Sequence, residues 1–446
     1  MMQFRNARIT VTPVPSWILY IFSFFMKGTT MKILLSVIVI MLSYSSVQAQ
    51  YYWERLVDRD YGYNPISHSV IRNITWTGKY LIGAGWRNES KRLGNGGIYD
   101  TAMTQYLGYS LDSGKTWTSV EPPIYAQKNT GGVNIDRQLI VLDTLNVILC
   151  GGISSLQKNH LLRSTDGGKS WFSFVDKIDG LIHHPRISFF NNKKGIMAGS
   201  NLKWQTNQNV FYHTEDGGIT WTSSTMSQHR DTTSDLYYNN PIWLDSTTVF
   251  NYNYNMYQPI QGSGLSPHTF RTFISYDAGY TWEQLGCRIN GYEGDSSRTA
   301  YFLKVYFSTS QKGYAFGRIY RNNGWIPATF VTNNRGISWT IVDTVDYPQD
   351  GRNLGQDTFV YVNWNGKIRY TVDGGTTWQY RVDSNIISYI NNYYDYLNCA
   401  YFFSMDDAVA ISSMVKNSDG KTIENPAIYR LRQGTVSVAE IESTVE

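Results

Sequence analysis

Six carboxylates or amides recur in one local setting: Asp112, Asp166, Asp216, Asp277, Asn334 and Asp373. Each is the third residue of an octapeptide, SLDSGKTW (110–117), STDGGKSW (164–171), TEDGGITW (214–221), SYDAGYTW (275–282), TNNRGISW (332–339) and TVDGGTTW (371–378). The shared grammar is Ser/Thr-x-Asp/Asn-x-Gly-x-Ser/Thr-Trp. Repeated carboxylates invite two chemistries, calcium ligation and acid–base catalysis. Calcium needs several oxygens converging within one loop, and each octapeptide offers one or two. Asn334 keeps the acceptor and drops the charge, which fits a turn cap and not an ionic role. The expected role is therefore local. The third residue accepts backbone N–H groups across a turn. The glycine at position five takes a positive φ. The hydroxyl at position seven closes the turn, and Trp117, Trp171, Trp221, Trp282, Trp339 and Trp378 each bury a large ring at the start of the next strand.

Other reactive side chains are scattered. A two-carboxylate glycosidase could draw on Asp100, Asp231, Asp235, Glu293, Asp295, Asp406 and Asp407, but the sequence does not say which share a face. His183 and His184 are adjacent and would point to opposite faces of a strand, so no metal site is expected, and no cofactor. No Gly-x-Ser-x-Gly, phosphate loop or nucleophilic cysteine setting is present. Cys150 and Cys399 lie in apolar strands and read as buried thiols; with Cys287 they make an odd, sparse set with no Cys-x-x-Cys. Two segments put tyrosine beside asparagine, NYNYNMYQPI (Tyr252, Tyr254, Tyr257) and NNYYDYLN (Tyr393, Tyr394, Tyr396). That pairing suits a sugar or a peptide, while alternate tyrosines in such strands also pack sheet on sheet.

The elements that must position these residues follow from spacing. The octapeptide tryptophans are 54, 50, 61, 57 and 39 residues apart. Alternating segments precede the octapeptides, among them 69–85, 137–152, 185–200 and 299–320. The unit is strand, turn, strand, loop, strand, octapeptide, strand, and four strands per 40–60 residues make a propeller blade. After the sixth octapeptide, 397–415 and 425–434 supply three strands and no fourth. YYWERLV (51–57) resembles the strand that follows an octapeptide, with Trp53 in the tryptophan place. The expected fold is all-β, a seven-bladed propeller of four-stranded antiparallel blades, closed by the N-terminal strand 51–57 joining the last blade.

Residues 31–50, MKILLSVIVIMLSYSSVQAQ, have a lysine, an apolar run and a small-residue ending, and read as a secretory signal peptide. Residues 1–30 read as an upstream extension before the true start at Met31. Lys27 and Lys32 split the apolar stretch into runs too short to span a membrane, so the mature chain is expected to carry no span. The leader holds four of the 39 basic residues and no acidic one, leaving 35 basic against 35 acidic. A neutral mature chain gives no argument for nucleic acid as a partner. Residues 51–434 form the propeller, and 435–446 a flexible tail or the remnant of a linker to a sorting domain.

The octapeptide resembles the Asp-box, or BNR repeat, of sialidases, sortilin-type ectodomains, xyloglucanases and photosystem II assembly-factor propellers. The resemblance covers about 51–433 and implies the propeller, with the boxes at the blade rim away from the central site. A box in nearly every blade resembles the sortilin and assembly-factor type more than the sialidases. The sialidase resemblance would imply three arginines for a carboxylate, an Asp acid/base and a Tyr–Glu nucleophile pair. Arg72 (in IRNI, which departs from the family's Arg-Ile-Pro), Asp100, Glu283, Arg298 and Arg369 are the nearest candidates. The leading expectation is an exported, non-enzymatic binding or assembly scaffold for a protein or carbohydrate ligand, placed in the periplasm, at the cell surface or in the medium. The alternative is a secreted glycoside hydrolase of sialidase or xyloglucanase type, and a third reading is an adhesin-like surface protein.

Overall fold

Short runs of alternating apolar and polar residues, broken by Gly, Asn and Asp, favour strands joined by tight turns over helices. The computed structural model of the chain describes residues 50–56, 69–91, 100–121, 123, 138–153, 158–174, 182–201, 208–225, 239–254, 270–285, 288–290, 300–321, 324–344, 348–382, 396–413, 415–416, 422–423 and 428–434. All regular structure among them is strand. The chain separates into one unit made of Met1–Gln50 with Gly434–Glu446, and a second, Tyr51–Gln433, which holds the blades.

Seven antiparallel sheets follow one another. Blade 1 is Ser69–Trp76, Leu81–Lys91, Asp100–Ser110 and Thr118–Val120. Blade 2 is Gln138–Val141, Val147–Ile153, Lys158–Ser164 and Phe172–Ser173. Blade 3 is Ile182–Phe189, Gly195–Asn201, Gln208–Thr214 and Thr222–Thr225. Blade 4 is Asn239–Trp243, Val249–Tyr254, Phe270–Ser275 and Glu283–Leu285. Blade 5 is Ala300–Phe307, Gly313–Arg321, Gly324–Thr332 and Ser338–Asp343. Blade 6 is Pro348–Asn353, Phe359–Asn363, Ile368–Thr371 and Gln379–Val382. Blade 7 is Tyr396–Phe402, Ala408–Ser413, Ile428–Gly434 and, as its outermost strand, Gln50–Arg55. The expected seven-bladed ring, closed by the N-terminal strand, is therefore the fold. Two additions were not foreseen. Arg288–Asn290 adds a fifth strand to blade 5, parallel to Ser338–Thr340, and Val415–Lys416 pairs antiparallel with Thr422–Ile423 as a separate two-stranded sheet between the second and third strands of blade 7 in sequence.

The core lies between blades. Ile71, Leu81 and Trp117 of blade 1 pack with Cys399, Val409 and Ile411 of blade 7, closing the ring. Equivalent clusters join blades 1 and 2, 2 and 3, 3 and 4, 4 and 5, and 5 and 6. Blades 6 and 7 are joined by specific contacts as well. The Trp53 indole donates to the Gly366 carbonyl at 2.8 Å, and Arg381 stacks on the Tyr51 ring at 3.7 Å. Trp53 thus grips a turn of the neighbouring blade, whereas every octapeptide tryptophan grips a glycine carbonyl of its own octapeptide.

Each octapeptide joins the third and fourth strands of its blade. In the first, Thr116 N–H and hydroxyl donate to the two carboxylate oxygens of Asp112 at 2.8 and 2.6 Å. Ser110 donates to Asp112 and accepts the Gly114 N–H at 2.7 Å, and the Trp117 indole donates to the Gly114 carbonyl at 3.0 Å. Asn334 accepts the Ser338 N–H and returns its amide to the Ser338 hydroxyl, so the charge is dispensable. Two features were not read from sequence. The first hydroxyl caps the glycine N–H in all six copies. Position four also has positive φ, even at Ser113, Ala278 and Arg335, and in the second to sixth copies its N–H binds the first turn of the same blade, as from Ala278 to the Thr247 carbonyl. The position-five glycine lies against the preceding blade: a Cβ on Gly279 (φ +91°) would come within 2.3 Å of Ile196 Cδ1. The octapeptide is thus a clamp within its blade and a contact between blades.

Candidate functional site

In a propeller the first strand of each blade lies innermost, so among the described residues chemistry at the axis is sought on seven short segments. Five of these strands carry a register shift: between Ile71 and Asn73, His183 and Arg186, Phe302 and Lys304, Pro348 and Asp350, and Leu397 and Cys399. In all five the residue after the shift pairs with the fourth residue of the second strand (Ala84, Ala198, Phe316, Val362, Ile411). A bulge leaves backbone groups without ladder partners and re-aims side chains. Here the neighbouring blade supplies partners. Gln138 Oε1 accepts the Ile187 N–H at 2.9 Å, Asp350 accepts the Ala400 N–H at 3.3 Å, and the Cys150 thiol donates to the Pro185 carbonyl at 3.0 Å.

The polar centre of this ring is Asp350. Its carboxylate receives the Lys304 ammonium at 2.9 Å, the Tyr306 hydroxyl at 3.3 Å, the Gly351 N–H at 3.1 Å and, on its other oxygen, Ala400 N–H. Lys304 is the more open partner, its side chain 45% exposed against 21% for Asp350. Burial, reinforced by the Asp350 charge, raises the Tyr306 phenol well above its ordinary value. Burial also pushes Tyr252 up to about 12, against the pull of Arg186 and Lys304. Both phenols are therefore neutral hydrogen-bonding groups at physiological pH. Asp350 is the one carboxylate on the seven innermost strands, which also bear Arg72, Arg186, Lys304 and Arg352. Arg352 lies over the Tyr401 ring at 4.0 Å.

The residues singled out from sequence fall elsewhere or apart. Arg72 lies on the innermost strand of blade 1, within its register shift. Asp100 begins the third strand of that blade, opposite Lys91. Glu283 is exposed on the outermost strand of blade 4. Arg369, on the third strand of blade 6, is committed to Asp343 in an ion pair whose side chains are only 13% and 7% exposed. The structure does not bring these four together. Arg298, Asp231, Asp235, Glu293 and Asp295 lie outside the described residues, as do Cys287, Tyr257, Tyr393 and Tyr394. Asp406 and Asp407 sit in the first turn of blade 7, paired with Arg381 and Arg430. Tyr252 is buried between blades 4 and 5 with its hydroxyl 3.5 Å from the Leu303 carbonyl. Tyr254 ends the same strand, and Tyr396 begins the inner strand of blade 7. Cys150 and Cys399 are buried free thiols, and burial raises the Cys150 thiol to about 12. Lys304 and Asp350 were missed. Lys304 is a charge inside an otherwise apolar strand, AYFLKVYF, a signal that becomes visible only once that strand is assigned to the axis; Asp350 lies in the polar stretch PQDGRN and carries no such signal.

Among the described residues no group of three or more His, Cys, Asp or Glu side chains could hold a metal. No helix among them is long and apolar enough to cross a membrane.

Fold and ring define a seven-bladed β-propeller. No protein family and no curated protein matches the sequence. Solved structures are similar in fold. One is a polysaccharide lyase of family PL25, an ulvan lyase, with a TM-score of 0.51 at 10% identity over 89% of this chain and all of that one. Another is YCF48 from Cyanidioschyzon merolae, with a TM-score of 0.48 at 16% identity over 86% of this chain and 99% of that one. A third is the propeller domain of the Trilobed protease from Pyrococcus furiosus, with a TM-score of 0.48 at 7% identity over 85% and 99%. At these identities the likeness speaks to fold alone.

Proposed function

We propose that this chain is an exported, non-enzymatic propeller that binds a protein or a carbohydrate at its axis. One observation carries the reading. The innermost strands hold a single carboxylate, Asp350, and it is already engaged by Lys304, Tyr306 and two backbone N–H groups. Hydrolysis of a glycoside by two carboxylates needs a second one within about 5–10 Å, poised as acid, base or nucleophile. Among the described residues the innermost strands instead bear Arg186, Lys304 and Arg352 beside that one carboxylate, positive charge that suits recognition of acceptor-rich groups. The octapeptides are Asp-box repeats in this reading, and they serve as clamps of the ring. The leader at 31–50 directs export to the periplasm, the cell surface or the medium.

The test is binding by the intact protein of glycans and envelope proteins from its own cells, before and after Lys304→Ala. Retention lost with Lys304 supports an axial site. Retention indifferent to Lys304 and to Asp350→Asn moves the site elsewhere.

A further inference from the structure

The strand order puts two kinds of turn on one face of the ring. The turn from first to second strand and the octapeptide from third to fourth both leave a blade on the same side. These turns are short and lie wholly within the described residues, from 77–80 in blade 1 to 403–407 in blade 7. Among the described residues twelve large hydrophobic side chains are exposed, and eight of them sit on these turns, so exposed apolar surface is gathered on this face. Position two of the octapeptide supplies Leu111, Tyr276 and Val372, and position six Ile219, Tyr280 and Ile337. The first turns of blades 2 and 3 add Leu145 and Phe190.

The clamp needs no particular side chain at positions two and six, so nothing in the turn itself requires leucine, tyrosine, isoleucine or valine there. Besides the six apolar residues, these twelve positions hold two lysines, Lys115 and Lys169, and one acid, Glu215. Two of the exposed rings are held in place from below: Tyr280 stacks on His213 at 4.1 Å, and Phe190 meets Trp243 at 5.8 Å.

Charge is distributed to match. Lys79, Lys115, Lys169 and Lys193 are exposed on this face of blades 1 to 3. Lys79 and Lys169 lie over the Tyr80 ring at 5.4 and 5.1 Å, which brings two ammonium groups to one place at the junction of blades 1 and 2. The carboxylates of the face are engaged. Those of the octapeptides accept from their own turns, as at Asp112, and Asp143 and Asp245 cap first turns. Asp357, Asp406 and Asp407 pair with Lys312, Arg381 and Arg430. Exposed apolar side chains interleaved with lysines suit a lipid interface, where the apolar groups enter the acyl boundary and the ammoniums meet phosphate.

The exposed apolar residues span blades 1 to 6, so a partner that meets them all is extended and flat. A bilayer is flat, and so is a second copy laid face to face. The chain ends favour the bilayer. Strand Gln50–Arg55 begins on this face and Ile428–Gly434 ends on it, with the Tyr51 hydroxyl bonded to Asp406 in the first turn of blade 7 at 2.7 Å. The chain before Gln50 and residues 435–446 therefore attach here, and a face-to-face copy would have to accommodate both sets. The lysines likewise favour an anionic surface over a second array of lysines.

We propose that the octapeptide face is a membrane-docking surface that seats the ring on a lipid bilayer with anionic headgroups and turns the opposite face outward. The proposal does not rest on the axial reading.

The test is flotation of the chain from Gln50 onward, whose blades, Tyr51–Gln433, form their own unit. The vesicles are phosphatidylcholine alone and an equimolar mixture with phosphatidylglycerol. Flotation is expected with the mixture and is weaker with phosphatidylcholine. The triple variant Leu111→Ser, Ile219→Ser and Val372→Ser should reduce the floated fraction roughly tenfold. Lys115→Gln with Lys169→Gln should reduce it with the mixture only. All five side chains are exposed, so melting temperatures should match the unaltered protein and show that the variants fold. Absence of flotation with both vesicles overturns the proposal, as does flotation unchanged in the triple variant. Flotation that depends on the lysines alone is charge adsorption and overturns it too. A dimer in sedimentation equilibrium that the triple variant dissociates, without flotation, gives the face to a second copy and overturns the membrane reading.

Discussion

Replacing Trp339 with alanine should cost far more stability than replacing Trp221, although both close the same octapeptide. Each indole donates to its own glycine carbonyl, at 3.0 and 3.1 Å, so the hydrogen-bond loss is common to both. Packing differs. Trp339 is fully buried, and its ring meets Phe302 at 4.7 Å, Phe307 at 6.1 Å and Phe250 at 6.3 Å. Trp221 is half-buried and meets Phe189 at 6.2 Å. A buried Trp→Ala change costs about 3–5 kcal/mol, and each aromatic pair adds about 0.5–1.5 kcal/mol beyond area. Trp339→Ala should therefore fall near the top of that range and Trp221→Ala about 2 kcal/mol below it. Urea unfolding followed by circular dichroism gives both values, with equal slopes as the check on a common unfolding transition. Equal losses would refute the reasoning, since they would put the role of the tryptophan in the hydrogen bond and not in the interblade core.

Gly279→Ala should lower the melting temperature by several degrees, because φ is +91° and the new methyl meets Ile196; Gly324→Ala, with nothing within 4 Å, should leave it unchanged. Acid should loosen the ring through the octapeptides. At Asp112, Asp166, Asp216 and Asp277 partial burial opposes ionisation, but hydrogen bonds from the hydroxyls at positions seven and one and from backbone N–H groups outweigh it; at Asp373 the Thr377 bonds lead and bring the carboxyl to about 2. Depressed folded values mean the stabilisation is complete above the unfolded carboxylate value of about 4 and is lost as pH falls through the folded ones, toward 2 for Asp373. Asp277→Asn, which copies Asn334, should flatten that acid slope in a melting series. Asp343→Ala should cost about 3–5 kcal/mol by stranding Arg369, and Arg369→Met in the same chain should recover part of it in urea unfolding.

The clamps were legible because their chemistry is local: hydroxyl, carboxylate, glycine and tryptophan within eight residues fix one turn wherever it occurs. Ring closure was legible from a missing fourth strand and an unassigned strand of matching type at 51–57. Contacts between blades were not. Arg369 looked available to a substrate carboxylate, yet Asp343 of blade 5 holds it. Lys304 and Asp350 are 46 residues apart, and their meeting depends on two register shifts that no local pattern announces.

The most direct measurement is turnover of fluorogenic sialosides and β-glucan oligosaccharides by the purified protein and by its Asp350→Asn variant. A binding propeller with one engaged axial carboxylate predicts no release above the uncatalysed rate from either protein. Release by the unaltered protein that disappears with Asp350→Asn would make this chain a glycosidase and contradict the account.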